Sequence, residues 1–194
     1  ARLGKLARKG VVHAEVKTGY GLELEAESRL LEAYAALRRR GWSLDVTLMP
    51  AHDIPPEFQG DPEGYSRLVS EEWQPELVRR YPGVAAFCDV FVEKGVFTVE
   101  QGRRVLESGK ALGLKPRVHA DEFGHTGGAE LAAEVGAASA DHLMFCSDAG
   151  MKAMAASGVI PTLLPATTLF LGMRDFAPAR RMIDTGCRVA LASD

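Results

Sequence analysis

Residues 115–135, KPRVHADEFGHTGGAELAAEV, contain a strand, a loop and a helix in succession. Arg117–Ala120 is a short run that predicts a strand, and Gly128–Val135 has a helical pattern that starts at a pair of glycines. The loop between them holds three residues suited to chemistry: Asp121, Glu122 and His125. These side chains either form a hydrogen-bonded turn or line one wall of a catalytic pocket. The choice depends on how the unit recurs along the chain.

The strand–helix unit recurs throughout the sequence. Seven short runs rich in Val, Leu and Phe predict strands at Val11–Lys17, Asp45–Ala51, Phe87–Glu93, Arg117–Ala120, Ala140–Phe145, Ile160–Pro165 and Arg188–Ser193. Helical patterns lie between them at Leu22–Arg40, after Asp61-Pro62, from Pro75, from Thr98 to near Gly113, and at Gly128–Val135, Asp148–Ser157 and Pro178–Thr185. Such alternation predicts an α/β fold with a parallel sheet, either doubly wound or closed into a barrel.

Local signals mark the starts of several helices. Leu22–Arg40 has an apolar face at helical spacing, an acidic first turn and a basic last turn, which suit the helix dipole. Thr98 and Gln101 are spaced as a capping box. Asp61 before Pro62 is typical of an N-cap followed by a first-turn proline. We therefore expect a helix at each of these positions.

The number of units favours a barrel. Seven units of roughly 25–30 residues match the eight-stranded (β/α)8 TIM-type barrel, which needs about 250 residues. No GxGxxG follows a predicted strand, which argues against a dinucleotide-binding sheet. Leu3–Lys9 reads as a helix without its strand, and Arg188–Asp194 as a strand without its helix. Because a barrel cut there has two unpaired edges, we expect residues 1–194 to form a partial barrel domain, approximately strands 2 to 8, lacking strand 1.

Composition excludes several classes of protein. The chain has 194 residues, 46 % hydrophobic and 25 % charged, which suits one sizeable core. Its net charge of −3 provides no basic face for nucleic acid or anionic lipid. The most apolar stretch, Val159–Met173, is interrupted by two prolines and predicts no membrane span. Three cysteines without a CxxC pair favour a reducing, cytoplasmic setting.

Polar residues lie at or near the ends of four of the predicted strands. They are His52, His119 with Glu122 just beyond it, His142 and Asp194. In (β/α)8 barrels the catalytic groups lie at the carboxyl ends of the strands, so these side chains would face one mouth. Imidazole nitrogen and carboxylate oxygen together suit Zn²⁺ or Fe²⁺, and such an ion lowers the pKa of a bound water to near 7. Glu122 would then transfer the proton of that water.

Each of these residues also has a purely structural interpretation. A histidine at a strand end is commonly a hydrogen-bonded loop residue, and Asp141 beside His142 can serve only to orient or cap. His125 lies in a glycine-containing turn, where capping explains it as well as contact with a substrate does. However, His119 and Asp194 are far apart in sequence and would still face the same mouth. That convergence favours a metal-dependent hydrolase.

Five stretches of the chain carry a more specific pattern. They are AEVKTGYGLELEAE (14–27), MPAHDIPPEF (49–58), DVFVEKGVFT (89–98), RVHADEFGHTGGAELAAEVGAASADHL (117–143) and ALASD (190–194). Together they resemble the imidazolonepropionase family of the amidohydrolase superfamily. The similarity runs over essentially the whole chain, and the segment from His119 to His142 is specific to that family rather than to barrels in general. The resemblance implies a cytoplasmic hydrolase that acts on the carbon–nitrogen bond of a cyclic amide in histidine degradation.

The resemblance also implies a metal site and catalytic residues. Two ligands of a single divalent ion, zinc or iron, fall on His119 and Asp194. The glutamate that handles the proton of the water falls on Glu122, which also contacts the substrate. The sixth-strand histidine that stabilises the oxyanion falls on His142. Asp194 is expected to share in proton transfer as well as in ligation.

The implied substrate is a small molecule. Tyr20 and His52 match positions that contact it, and the reaction is hydrolysis of 4-imidazolone-5-propanoate to N-formimidoyl-L-glutamate. The family's first-strand His-x-His pair and its propionate-binding residues have no counterpart in these 194 residues. No nucleic acid or membrane partner is implied, and a homodimer is compatible with the resemblance.

Two other functions stay open at this point. A different cyclic amidohydrolase or a deaminase would use the same barrel, and ammonia release from a nucleobase would identify the deaminase. Alternatively, the chain is an inactive fragment or a scaffold that kept the fold without the metal. Metal analysis of the complete protein separates a scaffold from an enzyme.

Overall fold

The computed structural model describes the backbone of residues 2–194 and the side chains of residues 3–194. Seven strands lie in one sheet: β1 (Ala14–Lys17), β2 (Leu44–Ala51), β3 (Phe87–Val92), β4 (Lys115–Ala120), β5 (Ser139–His142), β6 (Ile160–Leu163) and β7 (Ala190–Leu191). Neighbouring strands are all parallel and follow one another in chain order. The seven strand predictions are confirmed, with ends that differ by a few residues.

Helices precede β1 and connect the strands. They are α1 (Arg2–Ala7), α2 (Leu24–Arg39), α3 (Pro62–Leu68), α4 (Gln74–Arg80), α5 (Val99–Ala111), α6 (Gly128–Val135), α7 (Asp148–Ser157), α8 (Pro165–Phe170) and α9 (Ala179–Asp184). The result is a curled half-barrel of the α/β class, in which parallel pairing brings the carboxyl ends of all strands to one rim. Within the described residues no helix combines the length and apolar character needed to cross a membrane.

The expected helix starts are present. The side chain of Asp61 accepts a hydrogen bond from the backbone N–H of Gly64 at 2.8 Å. The capping box before α5 is complete, because the Thr98 hydroxyl accepts from the N–H of Gln101 at 3.3 Å and the Gln101 side chain accepts from the N–H of Thr98 at 2.9 Å. These bonds satisfy backbone donors that a helix start otherwise leaves unpaired.

The expectation that a helix begins at Pro75 is confirmed within one residue, whereas the expectation that Pro165 ends a strand is wrong. Pro75 is the second residue of α4 and lies inside a continuous helical run, because a π-helical turn at Val69–Trp73 joins α3 to α4. Such a turn allows the helical run to continue past a proline, which has no backbone N–H to donate. Pro165 was expected to end a strand but is the first residue of α8, a helix that the sequence analysis did not predict. Its fixed φ suits the first turn of a helix.

The core lies between the strands and the helices. Val46, Val90 and Val118 from three neighbouring strands are fully buried. Helix α6 packs so closely on β4 that a Cβ added at Gly128 would lie 2.7 Å from the Cβ of Ala120. This close approach holds the loop between β4 and α6 against the rim of the sheet.

Candidate active site

A cavity of about 340 Å³ opens at the rim formed by the carboxyl ends of the strands. All six residues expected at the site line it: Tyr20, His52, His119, Glu122, His142 and Asp194. They belong to strands, or to loops just after strands, whose carboxyl ends share this rim. The arrangement agrees with the expectation that these side chains face one mouth, and their chemical roles stay predictions.

The histidines and Glu122 are close neighbours. The ring centroids of His119 and His142 are 5.2 Å apart, and the His52 ring is 6.2 Å from the His119 ring. Nδ1 of His142 lies 3.4 Å from Oε1 of Glu122. The Tyr20 ring lies 4.9 Å from the His52 ring, and 77 % of Tyr20 is exposed. A small polar molecule in the cavity would therefore meet all of these groups.

The loop that carries Tyr20 is held by a buried carboxylate. Glu27 on α2 is fully buried and accepts hydrogen bonds from the backbone N–H groups of Gly19 at 2.8 Å and Gly21 at 2.9 Å. Gly19 has φ 106°, and a Cβ there would lie 2.5 Å from the carbonyl oxygen of Met49. Only glycine accommodates this approach.

Asp194 occupies the exposed side of the cavity. Its Oδ2 accepts a hydrogen bond of 2.8 Å from the hydroxyl of Thr167. Thr167 belongs to α8, so the unpredicted helix orients one of the predicted metal ligands.

Backbone strain marks the ends of three strands. Four non-glycine residues at the rim have positive φ: Asp121 (51°), His142 (75°), Leu143 (64°) and Asp194 (68°). Such residues cost about 1–3 kcal/mol each and cluster at functional sites. At Asp121 the side chain offsets the cost, because its carboxylate accepts from the N–H groups of Thr126 at 2.8 Å and Ala129 at 3.3 Å.

Burial shifts the proton affinities of Glu122 and His142. Burial raises the pKa of Glu122 to about 7, with further contributions from the carboxylates of Asp194 and Glu93, while His119 opposes the rise. Burial also lowers the pKa of His142 to about 4. At neutral pH His142 is therefore neutral and retains one N–H to donate. Glu122 can both accept and release a proton.

A network of charged residues adjoins His119. Oδ2 of the fully buried Asp89 lies 3.1 Å from Nδ1 of His119 and 2.7 Å from Nζ of Lys17. The same ammonium lies 2.8 Å from Glu15 and 3.2 Å from Asp141. Although burial opposes the effect, these three carboxylates raise the pKa of Lys17 well above its ordinary value. Lys17 therefore stays charged and balances the buried carboxylates.

Two residues of this network, Lys17 and Asp89, were not predicted from the sequence. Asp89 is a charged residue within the otherwise apolar run Phe87–Val92, and a buried charge is costly unless it is paired. That mismatch was a signal that could have identified Asp89. Lys17 carried no such signal, because Asp89 and Asp141 lie on other strands, β3 and β5.

The residues around His119 fit a divalent metal ion. Asp89, His119 and Asp141 have donor atoms within 4.8 Å of one another, but the Lys17 ammonium already contacts both carboxylates. Nδ1 of His119 is buried beside Asp89, which leaves Nε2 as the ring nitrogen available on the cavity side. A carboxylate beside the second nitrogen of a ligating histidine is typical of protein metal sites. His119 and the Asp194 carboxylate thus offer the nitrogen and oxygen donors that zinc or iron accepts.

A second group of metal-binding residue types has a structural explanation. Asp121, His125 and Glu130 also have donor atoms within 4.8 Å of one another. The Asp121 carboxylate is already engaged by the backbone N–H groups of Thr126 and Ala129. This group therefore shapes the loop before α6.

Removing the charge of Lys17 is expected to destabilise the fold. Lys17→Met leaves Asp89 buried without its closest cation, and breaking a buried pair typically costs 3–5 kcal/mol. Because Lys17 retains 21 % side-chain exposure, we expect about 3 kcal/mol, measured by urea unfolding of the metal-free complete protein. Lys152→Met, at an exposed position on α7, is the matched control and should change little. Equal losses for the two variants would contradict the proposed balance of charge.

Known proteins resemble this chain in two ways, by sequence and by fold. No protein-family model matches the chain. It is 53 % identical over 195 residues to an imidazolonepropionase of Geobacillus kaustophilus, covering 100 % of the chain and 45 % of that protein. It is 48 % identical over 197 residues to one of Myxococcus xanthus, covering 100 % of the chain and 46 % of that protein. The chain spans about half the length of the curated relatives it matches.

Solved structures share the fold at lower identity. A guanine deaminase of C. acetobutylicum with bound guanine matches with a TM-score of 0.72 and 15 % identity, over 100 % of this chain and 49 % of that one. An adenine deaminase of Arthrobacter aurescens matches with a TM-score of 0.70 and 20 % identity, over 100 % of this chain and 60 % of that one. At these identities the likeness concerns the fold alone.

Proposed function

Since the resemblance of this chain to the imidazolonepropionase family is confirmed along its whole length, we propose that the complete protein is a metal-dependent hydrolase of that specificity. It opens the ring of 4-imidazolone-5-propanoate and yields N-formimidoyl-L-glutamate. The observation that carries the proposal is the convergence of His119, Glu122, His142 and Asp194 on one cavity. Residues 1–194 contribute a part of the barrel domain that corresponds approximately to strands 2 to 8.

His119 and Asp194 are the residues of this chain that would hold the ion. His119 would bind through Nε2, since Nδ1 faces Asp89, and Asp194 would bind through its carboxylate. A divalent zinc or iron ion bound there would polarise the ring carbonyl and lower the pKa of water.

Glu122 has the position and proton affinity of a general base and acid. It accepts a proton from the attacking water as the oxygen of that water bonds to the ring carbonyl carbon. It then donates the proton to the ring nitrogen as the carbon–nitrogen bond breaks. One water is consumed, and the carboxylate is left in its original protonation state. A pKa of about 7 suits a group that works in both directions near neutral pH.

His142 is suited to stabilise the oxyanion. Its lowered pKa keeps the ring neutral, and a neutral imidazole donates one N–H to the oxygen on which negative charge develops. The contact of its Nδ1 with Glu122 keeps both groups on the same side of the substrate. Donors placed where charge develops are commonly the largest contribution to catalysis.

Tyr20 and His52 are placed to orient the substrate ring. Their rings are in contact, and His52 also lies 6.2 Å from the ring of Phe91. The pair offers polar atoms on one wall of the cavity, and Phe91 offers an apolar surface beside them. A flat polar ring bound between them would have its carbonyl held in one orientation.

The complete protein provides the test of this proposal. Purified metal-loaded protein should consume 4-imidazolone-5-propanoate, followed by its absorbance, with N-formimidoyl-L-glutamate as the product. Parallel assays for ammonia release from adenine and guanine test the deaminase alternative. Ammonia release without consumption of the imidazolone would overturn the proposal, and so would complete protein that binds no transition metal.

The raised pKa of Glu122 predicts a pH-dependent cost to folding in the metal-free protein. The folded carboxyl keeps its proton up to about pH 7, whereas the unfolded chain loses it near 4.5. The folded state therefore binds more protons in this interval, and the stability contributed by Glu122 falls as pH rises from 4.5 to 7. Glu122→Gln removes the effect, so its advantage over wild type should grow across the interval by up to about 3 kcal/mol. Urea unfolding with chelator present measures this, and a pH-independent difference would contradict it.

A further inference from the structure

We infer that Glu93 is a positioning residue for Glu122, and the catalytic part of this inference rests on the proposed function. Glu93 directly follows β3 and is 3 % exposed. Its Oε2 accepts hydrogen bonds from the backbone N–H groups of Glu122 and Phe123, both at 2.9 Å. A single buried carboxylate oxygen thus holds the segment of backbone from which the Glu122 side chain extends.

The conformation of the β4–α6 loop creates this site for a carboxylate. Asp121 lies in the left-handed region with φ 51°, and after it the N–H groups of Glu122 and Phe123 converge on one atom. The other oxygen of Glu93 accepts from the N–H of Lys94 at 2.9 Å. Three N–H donors therefore compensate the burial of this charge, and hydrogen bonds to a charged acceptor are stronger than neutral ones.

The loop is held on its other side as well. The Asp121 carboxylate accepts from the N–H groups of Thr126 and Ala129, and the hydroxyl of Thr126 donates to the carbonyl oxygen of Val92 at 3.1 Å. The segment between these attachments carries Glu122 into the cavity beside His142. With Glu93 in place, the backbone of Glu122 has little freedom to move away from His142.

Glu93 is not among the described residues that line the cavity. It therefore acts through Glu122. Its negative charge also contributes, after burial and Asp194, to the high pKa of Glu122. A similar arrangement holds the loop that carries Tyr20, where the Glu27 carboxylate accepts hydrogen bonds from the N–H groups of Gly19 and Gly21. Buried carboxylates outside the cavity thus orient two of the loops that form it.

Glu93→Ala and Glu93→Gln in the complete, metal-loaded protein test the inference. Alanine removes the acceptor for both amides, and we expect kcat to fall about 10–100-fold, less than the 10²–10⁴-fold that general acid–base catalysis supplies, because Glu122 itself is retained. KM and metal content should change little. Glutamine retains one oxygen that can accept from both amides, but its NH2 group then faces the N–H of Lys94, so it should recover part of the lost kcat. Glu100→Gln, at an exposed position in the first turn of α5, is the control and should match wild type.

Hydrogen–deuterium exchange supplies a readout that does not depend on turnover. Peptides covering residues 118–127 should exchange faster in Glu93→Ala and at an intermediate rate in Glu93→Gln, while peptides elsewhere stay unchanged. Wild-type exchange in this segment or wild-type kcat in Glu93→Ala would overturn the inference. So would a failure of glutamine to restore either quantity in part. If Glu93→Ala does not fold, a partly reduced kcat with faster exchange in this segment alone in folded Glu93→Gln supports the inference, and unchanged exchange in this segment overturns it. Absence of imidazolone hydrolysis in wild type would refute the proposed function, and the exchange result would still decide whether Glu93 holds the loop.

Discussion

Replacing Glu122 with glutamine is expected to leave the complete protein folded and metal-loaded while kcat falls by about 10²–10⁴-fold, the share that general acid–base catalysis commonly supplies. Glutamine has the same shape, so the N–H of residue 122 still reaches Glu93. It neither accepts the proton of water nor donates one to the departing nitrogen. Steady-state kinetics on the imidazolone substrate, with elemental analysis of the same sample, measures both quantities.

Glu134→Gln is the matched control for this variant. Glu134 lies on α6, is exposed and pairs with Arg103 at the surface, so its replacement should leave kcat unchanged. A near-normal rate for Glu122→Gln would remove Glu122 from its proposed role. Loss of metal together with activity would instead indicate that Glu122 is needed to hold the ion.

Replacing His119 with alanine is expected to remove both the metal and the activity. The substitution deletes the Nε2 donor, and the methyl group cannot replace it. Loss of groups that merely support a ligand costs about 10–100-fold in metal affinity, so we expect a larger loss for the ligand itself. Competition with a chromophoric chelator measures the affinity, and circular dichroism checks that the fold persists.

His125→Ala is the control for the metal measurement. His125 lies on the loop after the same strand, but its side chain is 53 % exposed, and its loss should leave the metal affinity near that of wild type. Wild-type metal content in a folded His119→Ala protein would show that the ion is held elsewhere. The Asp121, His125 and Glu130 group would then be the next candidate.

The strands and most helices could be predicted because their signals are local. Short apolar runs separated by amphipathic segments give the order of elements without tertiary information. Caps such as Asp61 and the Thr98–Gln101 pair lie within four residues of the helix starts that they define. Helix α8 was missed because the apolar run across Pro165 is compatible with a strand, whereas the fixed φ of Pro165 also suits the first turn of a helix.

The site residues could be predicted in part for the same reason. His119, His142 and Asp194 lie at or just after strand ends, and parallel topology brings strand ends together. The pairing of Lys17 with Asp89 and Asp141 and the role of Glu93 could not be predicted, since each depends on contacts between residues 29 to 124 positions apart in the sequence.

The sequence by itself determined the strand–helix repeat, the rim at which polar residues gather and the family that the chain resembles, because periodicity and motifs are properties of neighbouring residues. Only the tertiary structure decided which charges are paired beside His119, which carboxylate holds the Glu122 backbone and how far burial shifts the pKa of Glu122. Burial and electrostatic interaction depend on distances through space, and residues far apart along the chain acquire those distances only when the sheet curls.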